Sequence, residues 1–244
     1  YFDPIQSVNH VHEELLPLPF MKEHRQMLGL FSKGIYYQFN LTGHERPNSL
    51  VPSVKRSDLG RQLLLLRSFG IKLEEQKNLP NEPNRVLLDQ CFSLLQKLQL
   101  IDVTPEKELT PLGKEAAKFS SVSPFFALAT AKFTDNQQFA FLCSLLIENS
   151  RNLILNSQAK LLCKHFERES DVVTLLGAIS EISESELTED ENIGLSIGVI
   201  YSIYSEIENA FGIENGRESV TNAVKWSKEQ PGGTLAMVDK FVSL

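Results

Sequence analysis

Residues 101–119 read IDVTPEKELTPLGKEAAKF, and the reading of this stretch decides the fold. Ile101 to Thr104 has the branched and apolar character of a short strand. Pro105 to Glu108 is a tight turn, and Glu108-Leu109-Thr110 returns. Thr110 then stands where a side-chain oxygen can cap a helix. Pro111 takes the first helical position, where a missing N–H costs nothing. A small hairpin therefore feeds directly into a helix.

Two helices are expected before it. SDLGRQLLLLRSFGIK (57–72) begins with Ser57 as N-cap and Asp58 near the positive helix end. Leu59, Leu63 and Leu66 fall on one face, and Gly70 can take the left-handed conformation that stops the helix. Residues 73–84 hold Pro80 and Pro83 and read as a loop. RVLLDQCFSLLQKLQL (85–100) is the next amphipathic helix, with Leu88, Cys91, Leu95 and Leu98 on one stripe. Helix, helix, small hairpin, helix is the order of a winged-helix module.

Upstream, residues 1–45 read as strand and loop. KGIYYQFNL (33–41) is the clearest strand, and GHERPNSLVPSVK (43–55) is a proline-punctuated connector. Downstream, Ser123 to Phe211 reads as a helical bundle, with helices expected at 124–133, 135–148, about 157–166, 171–183 and 193–211. SESELTEDEN (183–192) is a solvated acidic loop. Residues 213–244 contain a Pro-Gly-Gly break and a short amphipathic end, TLAMVDKFVSL, with no assignment. The expected class is mainly α, organised as 1–45, 46–120, 121–212 and the tail 213–244.

The bulk numbers narrow the function. The chain has 244 residues, 42% hydrophobic and 23% charged, which is ordinary for a globular protein. Its 24 Lys and Arg against 31 Asp and Glu give a net charge of -7. Binding to nucleic acid through a bulk positive field is thereby excluded, and any such binding must use local clusters. Three widely spaced cysteines, Cys91, Cys143 and Cys163, point to a reducing compartment rather than a disulfide framework. Cys163 and His165 have no second ligand pair at metal-binding spacing. No run reaches transmembrane length, and the start has neither part of a signal peptide. The absence of an initiating Met makes the chain read as an internal piece of something longer. The phosphate-cradling Gly-x-x-x-x-Gly-Lys-Ser/Thr loop is absent, and no nucleophile–base set can be argued from the sequence.

One ordered series of motifs is more specific. VPSVKRSDLGRQLLLLRSFGI, a proline-containing loop, then LLDQCFSLLQKLQLIDVTPEKELTPLGKEAAKFSSVSPFFALATA resembles the C-terminal region of DEAH-box RNA helicases. There a Pro-Glu-Ile-x-Arg segment leads into a helix ending in Leu-Gly-Ile. A proline-rich loop, a helix ending in Leu-Gly-Ala, a wing, Leu-Thr-x-Leu-Gly and a Ser/Asp-Pro before the ratchet bundle follow. Pro52, Arg56, Gly70, Leu109, Thr110, Leu112, Gly113 and Pro124 match in order. FERESDVVTLLGAI (166–179) resembles a further family segment, with Asp171, Leu175 and Leu176 aligned. The resemblance spans roughly residues 1–211. It implies the end of a second RecA-like motor lobe, then a winged helix, then a ratchet bundle.

The resemblance also implies a defect. Active members end the second lobe with Gln-Arg-x-Gly-Arg-x-Gly-Arg before a Gly-x-x-Tyr-x-Leu-Tyr strand. Here Gly34, Tyr37 and Phe39 match the strand, and Arg25 matches one arginine. The other two fall on Met27–Leu28 and Leu30–Phe31. Such arginines stabilise charge on a transferring phosphoryl group, an effect of the order of 10³–10⁵ in rate. Pro17 to Phe20 also replaces the usual Ser-Lys upstream. Lys33, past the motif, is the one nearby cation that could substitute for them, and lysine lacks the arginine fork.

The resulting expectation is a catalytically degenerate helicase-like protein, a structural or RNA-clamping part of a ribosome-assembly or splicing particle. Two alternatives stand beside it: the C-terminal part of an active ATP-dependent RNA helicase, and a winged-helix DNA-binding regulator. Arg25 is the nucleotide-binding remnant, and Lys55, Arg56 and Arg61 are the RNA-binding candidates. Arg56 has a competing role in tying the connector to the motor lobe. No cofactor is expected in this chain; ATP and Mg belong to a full-length protein that keeps its motor lobes. The expected partners are RNA and ribonucleoprotein proteins in a larger assembly, with no membrane. The expected location is intracellular, nuclear or nucleolar before cytoplasmic.

Overall fold

The structure is a computed structural model that describes residues 2–3, 8–9, 54, 59–76, 79–155, 170–184 and 194–244. Over these residues the chain is mainly helical. It divides into two compact units, residues 1–59 with 76–91, and residues 60–75 with 92–244. The expected strand at 33–41, Arg25, Lys33, Lys55, Arg56, and the expected helix at about 157–166 lie outside the described residues. So does most of the acidic loop expected at 183–192.

In the first unit β1 (Phe2–Asp3) pairs antiparallel with β2 (Val8–Asn9), Phe2 opposite Asn9. The proline loop ends at Asn84, whose Oδ1 accepts from the Val86 N–H at 3.0 Å as the next helix begins.

The second unit opens with α1 (Gly60–Ser68). It buries Leu63, Leu64 and Arg67, while Leu66 is half-buried, so the buried face is rotated from the predicted one. Gly70 at φ 69° ends it: Ile71 N–H reaches Leu66 O at 2.9 Å and Gly70 N–H reaches Arg67 O at 3.0 Å. This is the paired-bond stop that a left-handed residue makes possible. The following helix, α2 (Arg85–Lys97), ends the same way, with Gln99 at φ 58° and Leu100 N–H on Leu95 O at 2.9 Å.

The predicted hairpin shrinks to a single bridge, Ile101 opposite Leu109. Asp102 is the physical reason. Its Oδ1 accepts from Thr104 N–H, Thr104 Oγ1 and Glu108 N–H at 3.2, 2.7 and 3.2 Å. A side chain thus takes donors that a longer ladder would have used. Thr110 caps α3 (Pro111–Ala117) as read from sequence, its Oγ1 accepting from Gly113 N–H at 2.9 Å.

α4 (Pro124–Lys132), α5 (Gln137–Leu153), α6 (Asp171–Glu184) and α7 (Ile197–Phe211) form the bundle. Phe139 through Leu146 are buried without interruption, so this stretch of α5 is enclosed around its whole circumference. A helix of that kind belongs at the centre, and α5 contacts α4, α6 and α7. It runs five residues past the predicted end, because Leu153 is buried one turn beyond the polar Asn149–Asn152 stretch. α7 starts later than predicted. Leu195 pairs with Ile154 as an isolated bridge instead of joining the helix.

The tail folds into α8 (Gly216–Glu229) and α9 (Gly233–Val242). Both pack on the bundle. Trp226 lies 5.5 Å from the Phe139 ring and Phe241 lies 6.0 Å from Phe133, centroid to centroid. At the other side, Phe119, Phe141 and Phe211 form a triad with separations of 5.1, 5.6 and 6.1 Å.

Candidate functional site

Of the four sequence-derived site residues, only Arg61 lies among the described residues. It leaves the first turn of α1 and is not a free cation. Its Nη2 pairs with a Glu148 carboxylate oxygen on α5, and its Nη1 donates to Ser121 O at 2.8 Å. The Arg61 side chain is 40% exposed and that of Glu148 is 14% exposed. The second Glu148 oxygen accepts from the Ser123 N–H at 2.6 Å. Ser123 is the N-cap of α4 but makes no side-chain cap bond, and Pro124 follows. Glu148 therefore supplies, from a distant helix, the negative charge that a helix start favours. Three segments meet at this point: α1, the turn at 121–123, and α5.

A second cationic group surrounds Phe92. Arg67 Cζ lies 5.5 Å from the ring centroid and Lys107 Nζ lies 3.9 Å from it. Arg67 is 5% exposed and pairs through Nη2 with Glu74, while its Nε and Nη1 are buried without a hydrogen-bond partner. Lys72 lies 3.6 Å from Glu75 and 3.9 Å from Glu108, bringing the turn after α1 beside the bridge strand. Sequence reasoning did not single out Arg67, Lys107 or Glu148. Glu148 carried a signal, as the lone acid at the end of the apolar run FAFLCSLLI.

The exposed stripe of α2 carries Arg85, Asp89, Ser93 and Lys97. Two cations at opposite ends with an acid between them make a poor groove-reading helix, since phosphate affinity grows with the number of cations presented. A cleft of about 390 Å³ opens beside Ile147, Ile154 and Leu175, with Arg151 and Asp171 on its lining.

Buried polar chemistry lies deeper in the bundle. Tyr204 Oη and Ser183 Oγ are 2.7 Å apart, and Arg217 Nε donates to Ser183 O at 2.8 Å. Burial pushes the Tyr204 phenol above its usual value, partly offset by the Ser183 hydrogen bond and Arg217. Burial also raises the Cys143 thiol far beyond the thiolate range, leaving an inert core side chain. Among the described residues no group of three His, Cys, Asp or Glu could hold a metal ion. No described helix is long and apolar enough to cross a membrane. The sequence matches no known protein-family model and no characterised protein.

Proposed function

We propose that this chain is the C-terminal region of a catalytically degenerate DEAH-box helicase-like protein, serving as a structural or RNA-clamping component of a ribonucleoprotein. In this reading residues 46–120 are a winged-helix module and 121–212 a ratchet bundle, with α8 and α9 added to it. Residues 1–45 end a motor lobe that has lost two phosphate-facing arginines.

The observation that carries the reading is the structural work done by the resembling residues. Gly70 takes the left-handed stop, Thr110 caps α3, and Pro124 starts α4. A Cβ on Gly113 would lie 1.8 Å from Leu100 O. Gln99, where the resemblance calls for Gly in Leu-Gly-Ala, holds φ 58°. Residues of an ordered motif series that each meet a specific backbone need support descent of the fold from one source. The acidic balance directs part of the surface toward proteins, and the RNA contacts fall to local cations: Lys55, Arg56 and Arg61.

The test is RNA binding by the full chain across a salt series. Phosphate contacts give an affinity that falls with salt, by a slope of roughly 0.7 per contact on single strands. Replacing Lys55, Arg56 and Arg61 together by Ala lowers both affinity and slope. Unchanged affinity and slope would remove RNA from the proposal and leave a protein scaffold.

A further inference from the structure

The Arg61 guanidinium is held by one anion, Glu148, and by the neutral Ser121 carbonyl. We infer that Glu148 is an internal competitor that holds Arg61 back from RNA phosphate, so that RNA binding exchanges one carboxylate for one phosphate at this guanidinium. The inference rests on the RNA reading above and adds a regulatory contact to it.

Three observations carry it. First, Arg61 is reachable: its side chain is 40% exposed although it is ion-paired. Second, Glu148 is not orphaned when Arg61 leaves. Its other oxygen keeps the Ser123 N–H at 2.6 Å, at the positive start of α4. A carboxylate with a second donor and a helix terminus can release a cation that a singly held carboxylate could not. Third, Arg61 has its own anchor. The bond from Nη1 to Ser121 O at 2.8 Å positions the guanidinium while Nη2 is contested. Arginine is suited to such an exchange because its planar fork matches carboxylate and phosphate alike. Where Arg61 turns to phosphate, α1 loses its tie to α5 but keeps its tie to the 121–123 turn.

The experiment compares the full chain with Glu148→Gln in binding to fluorescent oligouridine across a salt series. The amide introduced by Glu148→Gln is neutral but similar in shape, and its oxygen can still accept from Ser123 N–H. The expected result is several-fold tighter binding by Glu148→Gln, a salt slope steeper by about 0.7, and loss of both gains in Arg61→Ala/Glu148→Gln. Glu214→Gln, at an exposed acid in the α7–α8 loop, controls for net charge. Salt-dependent binding that is identical in wild type and Glu148→Gln overturns the inference and leaves the RNA reading standing. An equal gain in Glu214→Gln also overturns it, since the effect is then bulk charge. No RNA binding by either protein overturns the RNA reading and this inference with it. A measurement on the wild type guards against misfolding of the variant: the Arg61 Nε–H resonance, assigned by its loss in Arg61→Lys, shifts on RNA titration. An unmoved Arg61 resonance in a chain that binds RNA contradicts the exchange.

Discussion

Arg61 on α1 and Glu148 on α5, 87 residues apart in the chain, form an ion pair whose carboxylate also caps the start of α4. The two partners contribute unequally. Arg61 is partly solvated, so its removal costs less than about 1 kcal/mol. Glu148→Ala strips the Ser123 N–H of its partner as well and costs about 1–3 kcal/mol. Urea denaturation of both variants checks the order. Equal losses would mean that the cap on α4 adds nothing.

Gly113 meets the backbone of the segment before the bridge, and a Cβ there would sit 1.8 Å from Leu100 O. No flexible side chain is available to move aside. Gly113→Ala is therefore expected to cost more than about 2 kcal/mol, toward the upper end of overpacking penalties. Thr110→Ala, which removes the cap three residues earlier, costs about 1 kcal/mol. Thermal melts of the two variants should rank them in that order.

These residues also show what the sequence made legible. Gly70, Thr110, Pro111 and Pro124 are local signals, and the structure places each in the role its chemistry dictates. The bundle helices expected at 124–133 and 171–183 form at 124–132 and 171–184. The tail is harder to read because its core contacts, Trp226 and Phe241, are distant in sequence from Phe133 and Phe139. One local signal was present. Asn215 followed by Glu218 is a helix-start pattern, and Asn215 Oδ1 accepts from Glu218 N–H at 3.1 Å. Of the candidate site, the cation at 61 was legible but its partner was not. Pairing with Glu148 depends on how α1 lies against α5, which no local pattern encodes.

Arg67 and Glu74 form an asymmetric pair, with side chains 2% and 29% exposed. Removing the acid leaves a buried charge uncompensated, whereas removing the arginine leaves a carboxylate that water can reach. Glu74→Gln is expected to cost about 2 kcal/mol or more. Arg67→Met, which keeps the volume over Phe92 and eliminates the unpartnered Nε and Nη1, is expected to be close to neutral. Chemical denaturation separates the two; a larger loss in Arg67→Met would reverse the argument.

Tyr204 links stability to alkaline pH. Burial raises its phenol above the usual value of 10.0. The unfolded chain therefore gives up this proton at a lower pH than the folded chain. The neutral phenol's contribution is complete below about pH 10 and is lost as pH rises through the folded value. Tyr204→Phe is expected to cost no more than about 1 kcal/mol near neutrality. Ser183 Oγ still has the Ile179 carbonyl at 2.7 Å. The gap between variant and wild type should narrow or reverse above about pH 10, as followed by thermal melts in alkaline buffers. A gap that stays constant would show that Tyr204 titrates alike in both states.

The central proposal is a helicase-like frame without its motor chemistry. In the proposed reading, Met27, Leu28, Leu30 and Phe31 fall where active members of the family carry two arginines, and none of these side chains offers a charge to a transferring phosphoryl group. On that reading, ground-state nucleotide binding through Arg25 would not require that charge, so binding and hydrolysis would separate. The direct measurement is steady-state phosphate release by the full-length protein with ATP, Mg and saturating RNA. The account predicts no RNA-stimulated release, whether or not nucleotide binds. Robust stimulation that disappears on Arg25→Ala or Lys33→Ala would contradict it and identify the protein as an active helicase.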